Sequence, residues 1–450
     1  MSKLPELPNS VKIVAVALLI VLTDSQLVLA SDAFPDSIFA SEFELCSGLQ
    51  CAQVSCPTPG ATTSVSGTVF APNGTLPLPN VEVYVPNASV GSLTTGVGSN
   101  RCEVAASGHP LVATLSDANG NFMLKNVPVT TNMPLVIVTG KWRRQIQVSS
   151  TPSCIDTALT ADQTRLPRNH TEGDIPHIAI TTGGGESLEC LIRKTGVADT
   201  EFTTNSGSGR INLYAGQSGT ARFDAANGSA SFASATTLWI SATALKAYDQ
   251  VMFACEGDQA IAEKSQISLD ALKSYADAGG RVYLSHFQNY WLQAETTWNT
   301  VATWNNNLSG LNNVTAQVNS AFDQGAIFET WLSNVGASST SGAIGLIQTK
   351  QTLIALDETL ASKWIFLSTT ANGSPSVQYL TFTTPLESAP SSRSGRVLFT
   401  EMHAAQDASS TDLAFPSGGC TTSNTSLLPS DRALLFATFD LQRCVDSSSH

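Results

Sequence analysis

The first half of the chain alternates short apolar and polar positions, a pattern typical of antiparallel strands. Between residues 58 and 150, valine, threonine and aromatic residues alternate with polar ones, and Gly, Pro and Asn separate the runs. The stretch "SDANGNF" contains Asn119-Gly120, a pair that suits the positive φ angles of a hairpin turn. Roughly 90 residues of this pattern predict one small antiparallel β-sandwich.

From residue 176 onward, apolar runs alternate with stretches of helical periodicity. Strands are predicted at "PHIAI", "GRINLYAG", "YDQVMFACEG" and "RVYLSHF", and later at "KWIFLSTT", "VQYLTFTTP" and "GRVLFTEMHA". Amphipathic helices are predicted at "SLDALKSYADAGG" and at "SDRALLFATFDLQRCV", the latter capped by Ser430. This alternation predicts a multidomain chain in which a flavodoxin-like, doubly wound parallel α/β sheet covers residues 176–445.

The N-terminal segment and the middle of the chain fit neither pattern. The apolar run "VKIVAVALLIVLT" is followed by small residues, which predicts a secretory signal peptide over residues 1–33. It is shorter than the roughly 20 residues of a membrane span. Residues 34–57 contain three cysteines and are interpreted as a stapled extension, and residues 151–175 as a linker. We expect an exported protein without a membrane span in its mature chain, located outside the cell, in the periplasm or at the cell surface.

Composition limits the partners of the chain. Only 13% of residues are charged and the net charge is −13, which argues against binding to nucleic acid. An exported chain with nine cysteines is expected to form disulfides, and the odd number leaves at least one cysteine over. The disulfide candidates are Cys102, Cys154, Cys190, Cys255, Cys420 and Cys444. The sequence does not specify their connectivity, and a bond from Cys154 back to Cys102 is one option, which would fasten the linker to the sandwich.

Both halves of the chain resemble known families. Residues 58–150 resemble the carboxypeptidase regulatory-like family, a transthyretin-like sandwich, in "VSGTVFAPNG", "PNVEVYV" and "ATLSDANGNFMLKNVP". Residues 176–445 resemble the class I glutamine amidotransferase-like superfamily and its ThuA-like group in "YDQVMFACEG", "YADAGGRVYLSHF" and "GRVLFTEMHA". The combination resembles uncharacterised secreted bacterial proteins. The amidotransferase-like resemblance implies a nucleophile on the turn after "RVYLS", where this chain has Ser285-His286 and no cysteine.

Candidate chemistry lies where the predicted parallel strands end, because ligands bind at that edge of such sheets. The residues collected there are Thr181 to Gly185, Cys255-Glu256-Gly257, Ser285-His286, and Glu401-Met402-His403. Glu401 and His403 are two positions apart and share one face of their strand. The glycines 183–185 suit either an anion held at a helix N-terminus or a tight turn, and the turn is favoured.

Three interpretations of this edge compete. The first is a hydrolase with Cys255 as nucleophile and His286 or His403 as base, with Glu256 a further catalytic candidate. The second is a zinc or iron site built from His286, Glu401 and His403, with Glu256 as a further candidate ligand. The third, favoured in an exported protein, is a disulfide between Cys255 and Cys190, which follows the neighbouring strand.

The sequence therefore predicts a secreted, non-catalytic binding or cell-surface protein, with a hydrolase or metal-dependent enzyme as the alternative. No cofactor is implied, and a divalent metal remains open. Carbohydrate is a candidate partner because Tyr290, Trp291, Trp298 and Trp304 cluster in one stretch. Their spacing favours packing against the core over stacking on sugars.

Overall fold

A computed structural model describes residues 46–98, 106–369, 375–404, 414–417, 420 and 427–445. The predicted signal peptide lies outside these residues, as do Cys102 and the first half of the predicted extension. The described residues from Ser47 onward form one compact unit. Within the described part, no helix has the length and apolar character needed to cross a membrane. The predicted domain boundaries stay predictions.

Seven strands in the first part of the described chain form two sheets that pack on each other. They are β1 (Ser64–Thr68), β2 (Glu82–Pro86), β3 (Pro110–Leu115), β4 (Asn121–Lys125), β5 (Thr131–Thr139), β6 (Trp142–Ser150) and β7 (Asp156–Ala158). One sheet has the order β4-β1-β7 and the other β3-β2-β5-β6. Val65 and Leu124 from the first sheet share a core with Val83, Leu135 and Ile137 from the second. The arrangement is sandwich-like, as predicted.

The predicted hairpin at Asn119-Gly120 is only half right. Gly120 has a φ of 76°, and the carboxylate of Asp117 accepts the backbone N–H groups of Asn119 and Asn121, both at 2.8 Å. The tight turn is therefore present. However, β3 pairs with β2 and β4 pairs with β1, so the turn carries the chain from one sheet to the other. Alternation identifies strands but does not specify their partners.

The described chain after β7 contributes fifteen further strands, and the described chain as a whole eight helices. The strands are β8 (Ile178–Thr181), β9 (Phe202–Thr203), β10 (Ile211–Ala215), β11 (Arg222–Phe223), β12 (Ala233–Ser234), β13 (Gln250–Phe253), β14 (Arg281–Ser285), β15 (Ala302–Trp304), β16 (Val314–Val318), β17 (Ala343–Leu346), β18 (Leu353–Leu356), β19 (Ser362–Leu367), β20 (Ser376–Thr384), β21 (Gly395–Thr400) and β22 (Ala414–Phe415). The helices are α1 (Ala161–Thr164), α2 (Leu188–Arg193), α3 (Ala235–Trp239), α4 (Ala242–Lys246), α5 (Gln266–Asp277), α6 (Asn289–Ala294), α7 (Asp323–Asn334) and α8 (Pro429–Leu441). Residues 151–175, predicted as a linker, contain β7 and α1.

The largest sheet is mixed rather than all parallel. Its order is β12-β10-β8-β13-β14-β21-β20-β19-β16-β17, with β9 also paired to β10. The ladders from β12 to β21 are parallel, whereas β20, β19, β16 and β17 join antiparallel. Parallel neighbours need a crossover of about a dozen residues or more. Residues 385–394, between β20 and β21, are too few for one. The prediction of a parallel sheet therefore holds for one half only.

Helix α5 shows why the local predictions succeed. The Ser265 hydroxyl accepts the backbone N–H of Ser268, which caps the N-terminus. Leu269, Leu272 and Tyr275 are buried along one face. This helix was predicted from its apolar period and from the glycines that follow it, and both signals are local.

Helix α8 departs from its predicted start and from its predicted amphipathic character. It begins at Pro429 rather than after a Ser430 cap, since proline suits the first helical position. Eleven of its thirteen residues are buried, on every side of the helix. The Phe439 ring lies 5.7 Å from the Trp142 ring of the sandwich, so the sandwich covers a face that the sequence suggested would meet solvent.

Candidate ligand-binding site

Cys255 is the free cysteine of the described chain, and its predicted disulfide with Cys190 is wrong. Cys190 pairs with Cys420 at a Cα–Cα distance of 5.1 Å. Strands β8 and β13 are neighbours, as the prediction required. However, Cys190 packs in the cluster that contains Met252, whereas Phe253 faces the opposite cluster. Alternation along β13 directs Cys255 to the same side as Phe253, away from Cys190.

Cys154 forms a disulfide with Cys56, at a Cα–Cα distance of 5.6 Å, so its suggested pairing with Cys102 is also wrong. The backbone N–H of Cys154 donates to the Thr63 hydroxyl at 2.9 Å. This places Cys154 at the start of β1, where the N-terminal extension enters the sandwich.

Disulfides are a general feature of the chain. In the part of the chain that the structure describes, seven cysteines are disulfide-bonded, among them the predicted candidates Cys420 and Cys444: they are Cys46, Cys51, Cys56, Cys154, Cys190, Cys420 and Cys444. Such bonds form and persist in oxidising compartments. This is compatible with the predicted export.

Four buried side chains meet at the carboxyl ends of β8, β13 and β14: Glu186, Cys255, Glu256 and His286. We call this group the buried rim. The Cys255 Sγ lies 3.0 Å from Nδ1 of His286. His286 directly follows β14 and has a φ of 52°, a conformation that is uncommon for a non-glycine residue. The sequence placed Cys255 and His286 at the same edge, and the structure brings them into contact.

The thiol of Cys255 is held in its neutral form. Burial, with a smaller contribution from the nearby Glu186 carboxyl, raises the pKa of Cys255 to about 12. The backbone N–H groups of Phe287 and Gly257 act in the opposite direction but do not prevail. Because the thiolate is the reactive nucleophile, this environment disfavours the reactive form of Cys255.

The imidazole of His286 is also neutral. Burial lowers the pKa of His286 well below 6.5, and the neighbouring His403 and the positive charge of Lys350 lower it further. The Cys255–His286 contact therefore joins a thiol to an uncharged imidazole. A catalytic thiolate–imidazolium pair would need both charges that this site disfavours.

Glu186 is the rim residue that the sequence analysis missed. Its carboxylate accepts the backbone N–H of Cys255 at 2.7 Å and that of Ala404 at 2.9 Å, which links the ends of β8, β13 and β21. Burial raises the pKa of Glu186 to about 7, although these hydrogen bonds oppose the shift. Glu186 directly follows the triple glycine. The residues collected at the end of strand β8 stopped at Gly185, one position before it.

The triple glycine allows two loops to approach closely. A Cβ on Gly183 would lie 2.1 Å from the Cys255 carbonyl oxygen, and one on Gly185 would lie 2.7 Å from its sulfur. The N–H of Gly185 donates to that same carbonyl at 2.8 Å. Close packing against Cys255 accounts for these glycines, in line with the tight turn that the sequence favoured.

Glu256 forms a buried ion pair rather than a free acid–base group. Its carboxylate lies 2.6 Å from the Lys264 ammonium, and both side chains are fully buried. The other carboxylate oxygen accepts the backbone N–H of Gln217 at 2.9 Å. These contacts tie the loop after β13 to the loop after β10.

The predicted metal site is not formed. Glu401 accepts the hydroxyl of Thr352 at 2.5 Å and the N–H of Leu353 at 2.6 Å through one oxygen. The rings of His286 and His403 do come together, with centroids 4.8 Å apart. Yet in the described chain no group of three or more His, Cys, Asp or Glu side chains is arranged to hold a metal ion. The reason is that Glu401 points to Thr352 and Leu353, and Nδ1 of His286 points to Cys255.

A cleft of about 590 Å³ opens beside the buried rim. Loops that follow the parallel strands β10, β13 and β14 form most of its wall, and Asn306, Lys350 and Thr352 complete it. Its lining residues are mostly polar: Gln217, Asp258, Gln259, Ala260, Ile261, Ala262, Glu263, Phe287, Asn289, Asn306, Lys350 and Thr352. No sequence motif marked this set, because the residues come from separate loops that only the fold brings together.

The tryptophans considered for sugar stacking belong to the core. Trp291 and Trp298 are buried, and the Trp291 ring lies 5.5 Å from that of Trp239. Trp304 packs edge-on against Phe399 at 5.2 Å. The packing role that their spacing favoured is confirmed.

Comparisons with known proteins do not identify the chain. No family model and no curated protein matches it. Among solved structures, it is similar to an N-terminal and a C-terminal interface mutant of a type II cohesin–X-dockerin complex from Acetivibrio cellulolyticus. Each is 16% identical over 32% of this chain, which corresponds to 78% and 76% of the matched chains, with a TM-score of 0.16. At that TM-score the likeness carries no argument about fold or function.

Proposed function

We propose that this protein is an exported binding protein that holds a small polar ligand of the carbohydrate class in the cleft beside the buried rim. The observation that carries the proposal is the chemistry of the lining. The amides Gln217, Gln259, Asn289 and Asn306 line a cleft of about 590 Å³, in which Gln259 donates to Asn289 at 2.8 Å and Asn306 exchanges two hydrogen bonds with Gln293 at 2.9 Å. Amides both donate and accept hydrogen bonds, as sugar hydroxyls do, and the volume is ordinary for a small-molecule site.

Phe287 adds an apolar surface to this polar lining. Its ring is half-buried and lies in the cleft wall. A sugar ring has apolar C–H faces that pack on aromatic rings, whereas a strongly hydrated ion does not need such a surface. One aromatic ring among four amides therefore favours a saccharide over a free ion.

The position of the cleft supports the same proposal. In the parallel half of the sheet, four neighbouring strands lie in the order β10-β8-β13-β14. When these four are numbered by their order in the chain, the second lies beside the first, followed by the third and the fourth. This order supports a flavodoxin-like classification. Ligands of such sheets bind outside the carboxyl ends of the strands. We extend the proposal to the family level: a carboxypeptidase regulatory-like sandwich is joined to an amidotransferase-like, ThuA-like domain that has lost its nucleophile.

Calorimetric titration with a panel of neutral and acidic oligosaccharides tests the function. We expect at least one member to bind and Asn306→Ala to weaken that binding by about tenfold, which corresponds to about 1.4 kcal/mol. Gln147→Ala, an exposed amide on β6, is the matched control and should change nothing. If no member of the panel binds, or if both variants bind like the parent, the proposal fails.

A thiol hydrolase is the second candidate, and the 3.0 Å contact between Cys255 and His286 favours it. The neutral state of both groups argues against it. Mass-spectrometric mapping after iodoacetamide treatment of the folded protein separates the two functions. A binding protein should leave Cys255 unlabelled near neutral pH. Rapid labelling that His286→Gln abolishes would instead support the hydrolase.

A further inference from the structure

Lys350 is a half-buried lysine in the cleft wall without a counter-charge. Its Nζ lies 4.5 Å from the centroid of the Phe287 ring. No described residue forms an ion pair or a hydrogen bond with its ammonium group. The ring partly offsets the loss of water around the charge but leaves the ammonium free to donate hydrogen bonds.

Most of the other described lysines do not share this situation. Four of them lie within 3 Å of a carboxylate, in the pairs Lys141–Asp249, Lys264–Glu256, Lys273–Asp277 and Lys363–Glu358. The chain has a net charge of −13, so acidic partners are abundant. An unpaired lysine in a cleft of such a protein is a place where a ligand can supply the missing negative charge.

The groups around Lys350 do not supply that charge. Glu401 interacts with Lys350 electrostatically, but its carboxyl is buried and bonded to Thr352 and Leu353. Burial raises the pKa of Glu401 to about 7, so near neutral pH it is only partly ionised. His286 also senses the lysine and is neutral. The described groups around Lys350 therefore leave its charge without a full counter-charge.

The acidic residues of the cleft lie on its exposed side. Asp258 and Glu263 both line the cleft and are exposed to solvent. One oxygen of Asp258 already accepts the backbone N–H of Ala260 at 2.6 Å. Water and salt screen exposed charges much more than half-buried ones. The field at the inner side of the cleft is therefore dominated by Lys350.

We propose that the ligand of the cleft is an acidic saccharide whose carboxylate pairs with the ammonium of Lys350. The inference rests on the proposed function and adds the charge of the ligand to it. The amide side chains would hold the hydroxyl groups of the same sugar, and Phe287 would pack against its ring.

Matched pairs of ligands that differ only in charge test the inference. Oligogalacturonate and its methyl-esterified form have the same hydroxyl groups and ring, but only the first carries carboxylates. Calorimetric titration should show the acid binding at least about tenfold more tightly than the ester. Lys350→Met should abolish this preference, Lys350→Arg should keep most of it, and Lys125→Met, an exposed lysine on β4, should have no effect. Binding of the acid should also weaken as salt is added.

The outcomes separate the inference from the function on which it rests. If the acid and the ester bind equally, and Lys350→Met binds both like the parent, the inference is wrong and saccharide binding stands. If neither binds, and the same holds for oligomers of alginate and hyaluronate and for their neutral counterparts, both are wrong. Thermal unfolding of each variant shows that a loss of binding is not a loss of fold.

Discussion

Lys264 and Lys350 lie beside the same cleft, but of the two only Lys264 has an ionic partner among the described residues. Lys264 is fully buried, 2.6 Å from the Glu256 carboxylate, and also donates to the Gln259 carbonyl at 2.8 Å. Lys350 is half-buried and has no such partner in the described chain. A buried, fully bonded charge holds loops in place, whereas an accessible and unpaired one is available to a ligand. By this comparison, the charges of the buried rim have a structural role, whereas the charge in the cleft wall is accessible to a ligand.

Lys264→Met should have the largest effect on stability. Removing one partner of a buried ion pair leaves the Glu256 carboxylate buried without its counter-charge, at a cost of about 3–5 kcal/mol. Urea unfolding monitored by tryptophan fluorescence measures the loss. The double variant Glu256→Gln/Lys264→Met should recover most of it, because no charge remains buried. A single variant that loses less than about 1 kcal/mol would mean that the pair does not hold the loop.

Glu401→Gln should change how stability depends on pH. In the folded protein burial raises the pKa of Glu401 from 4.5 to about 7, so folding favours the protonated acid. The stabilisation of the folded state by protonated Glu401 is complete below pH 4.5 and is lost as the pH rises toward 7. The free energy of unfolding then falls by up to about 3 kcal/mol, at 1.36 kcal/mol per pH unit. Glutamine resembles the protonated acid and should not show this loss.

Other buried groups also make the free energy of unfolding depend on pH in this range, so each variant must be compared with the parent protein. Glu186, whose pKa is also raised to about 7, acts with the same sign as Glu401. His286 acts with the opposite sign, because its lowered pKa makes the folded state less stable as the pH falls below 6.5. The difference between parent and Glu401→Gln, measured by urea unfolding at each pH, isolates one group. A constant difference from pH 4.5 to 7.5 would contradict the shift.

Cys255→Ala should lower stability by less than the preceding variants, and it tests the contact between Cys255 and His286. It removes the partner of the buried Nδ1 of His286 and should cost about 1–3 kcal/mol in urea unfolding. Cys255→Ser keeps a hydrogen-bonding group of similar size and should lose less. If serine and alanine are equally costly, the contact between Cys255 and His286 contributes packing only.

The rim was largely predictable from sequence, and the cleft was not. Cys255, Glu256 and His286 follow predicted strands, and the rule that parallel strands end at one edge was enough to group them. That rule needs only local patterns and one general property of parallel sheets. It could not give the partner of Cys255, because the choice between a disulfide and an imidazole depends on which face of the sheet Cys190 occupies.

Lys350 and Thr352 show what the sequence lacked. They lie in the loop between β17 and β18, and they reach the cleft because β16 and β17 join the antiparallel side of the large sheet. Antiparallel additions and long-range loop contacts have no local periodic signal. The same limit explains helix α8, whose outer face is buried by a sandwich hundreds of residues earlier in the chain.

Lys350→Met should have the smallest effect on stability of the four variants. The lysine has no ionic partner to lose in the described chain, and its methylene groups have close counterparts in methionine. A change within about 0.5 kcal/mol in urea unfolding is expected, as for a substitution away from buried networks. A loss above about 2 kcal/mol would show that the ammonium has a structural partner, and Lys350 would then belong with Lys264. Unchanged stability together with lost binding of the acidic saccharide is the result that only a ligand-binding lysine gives.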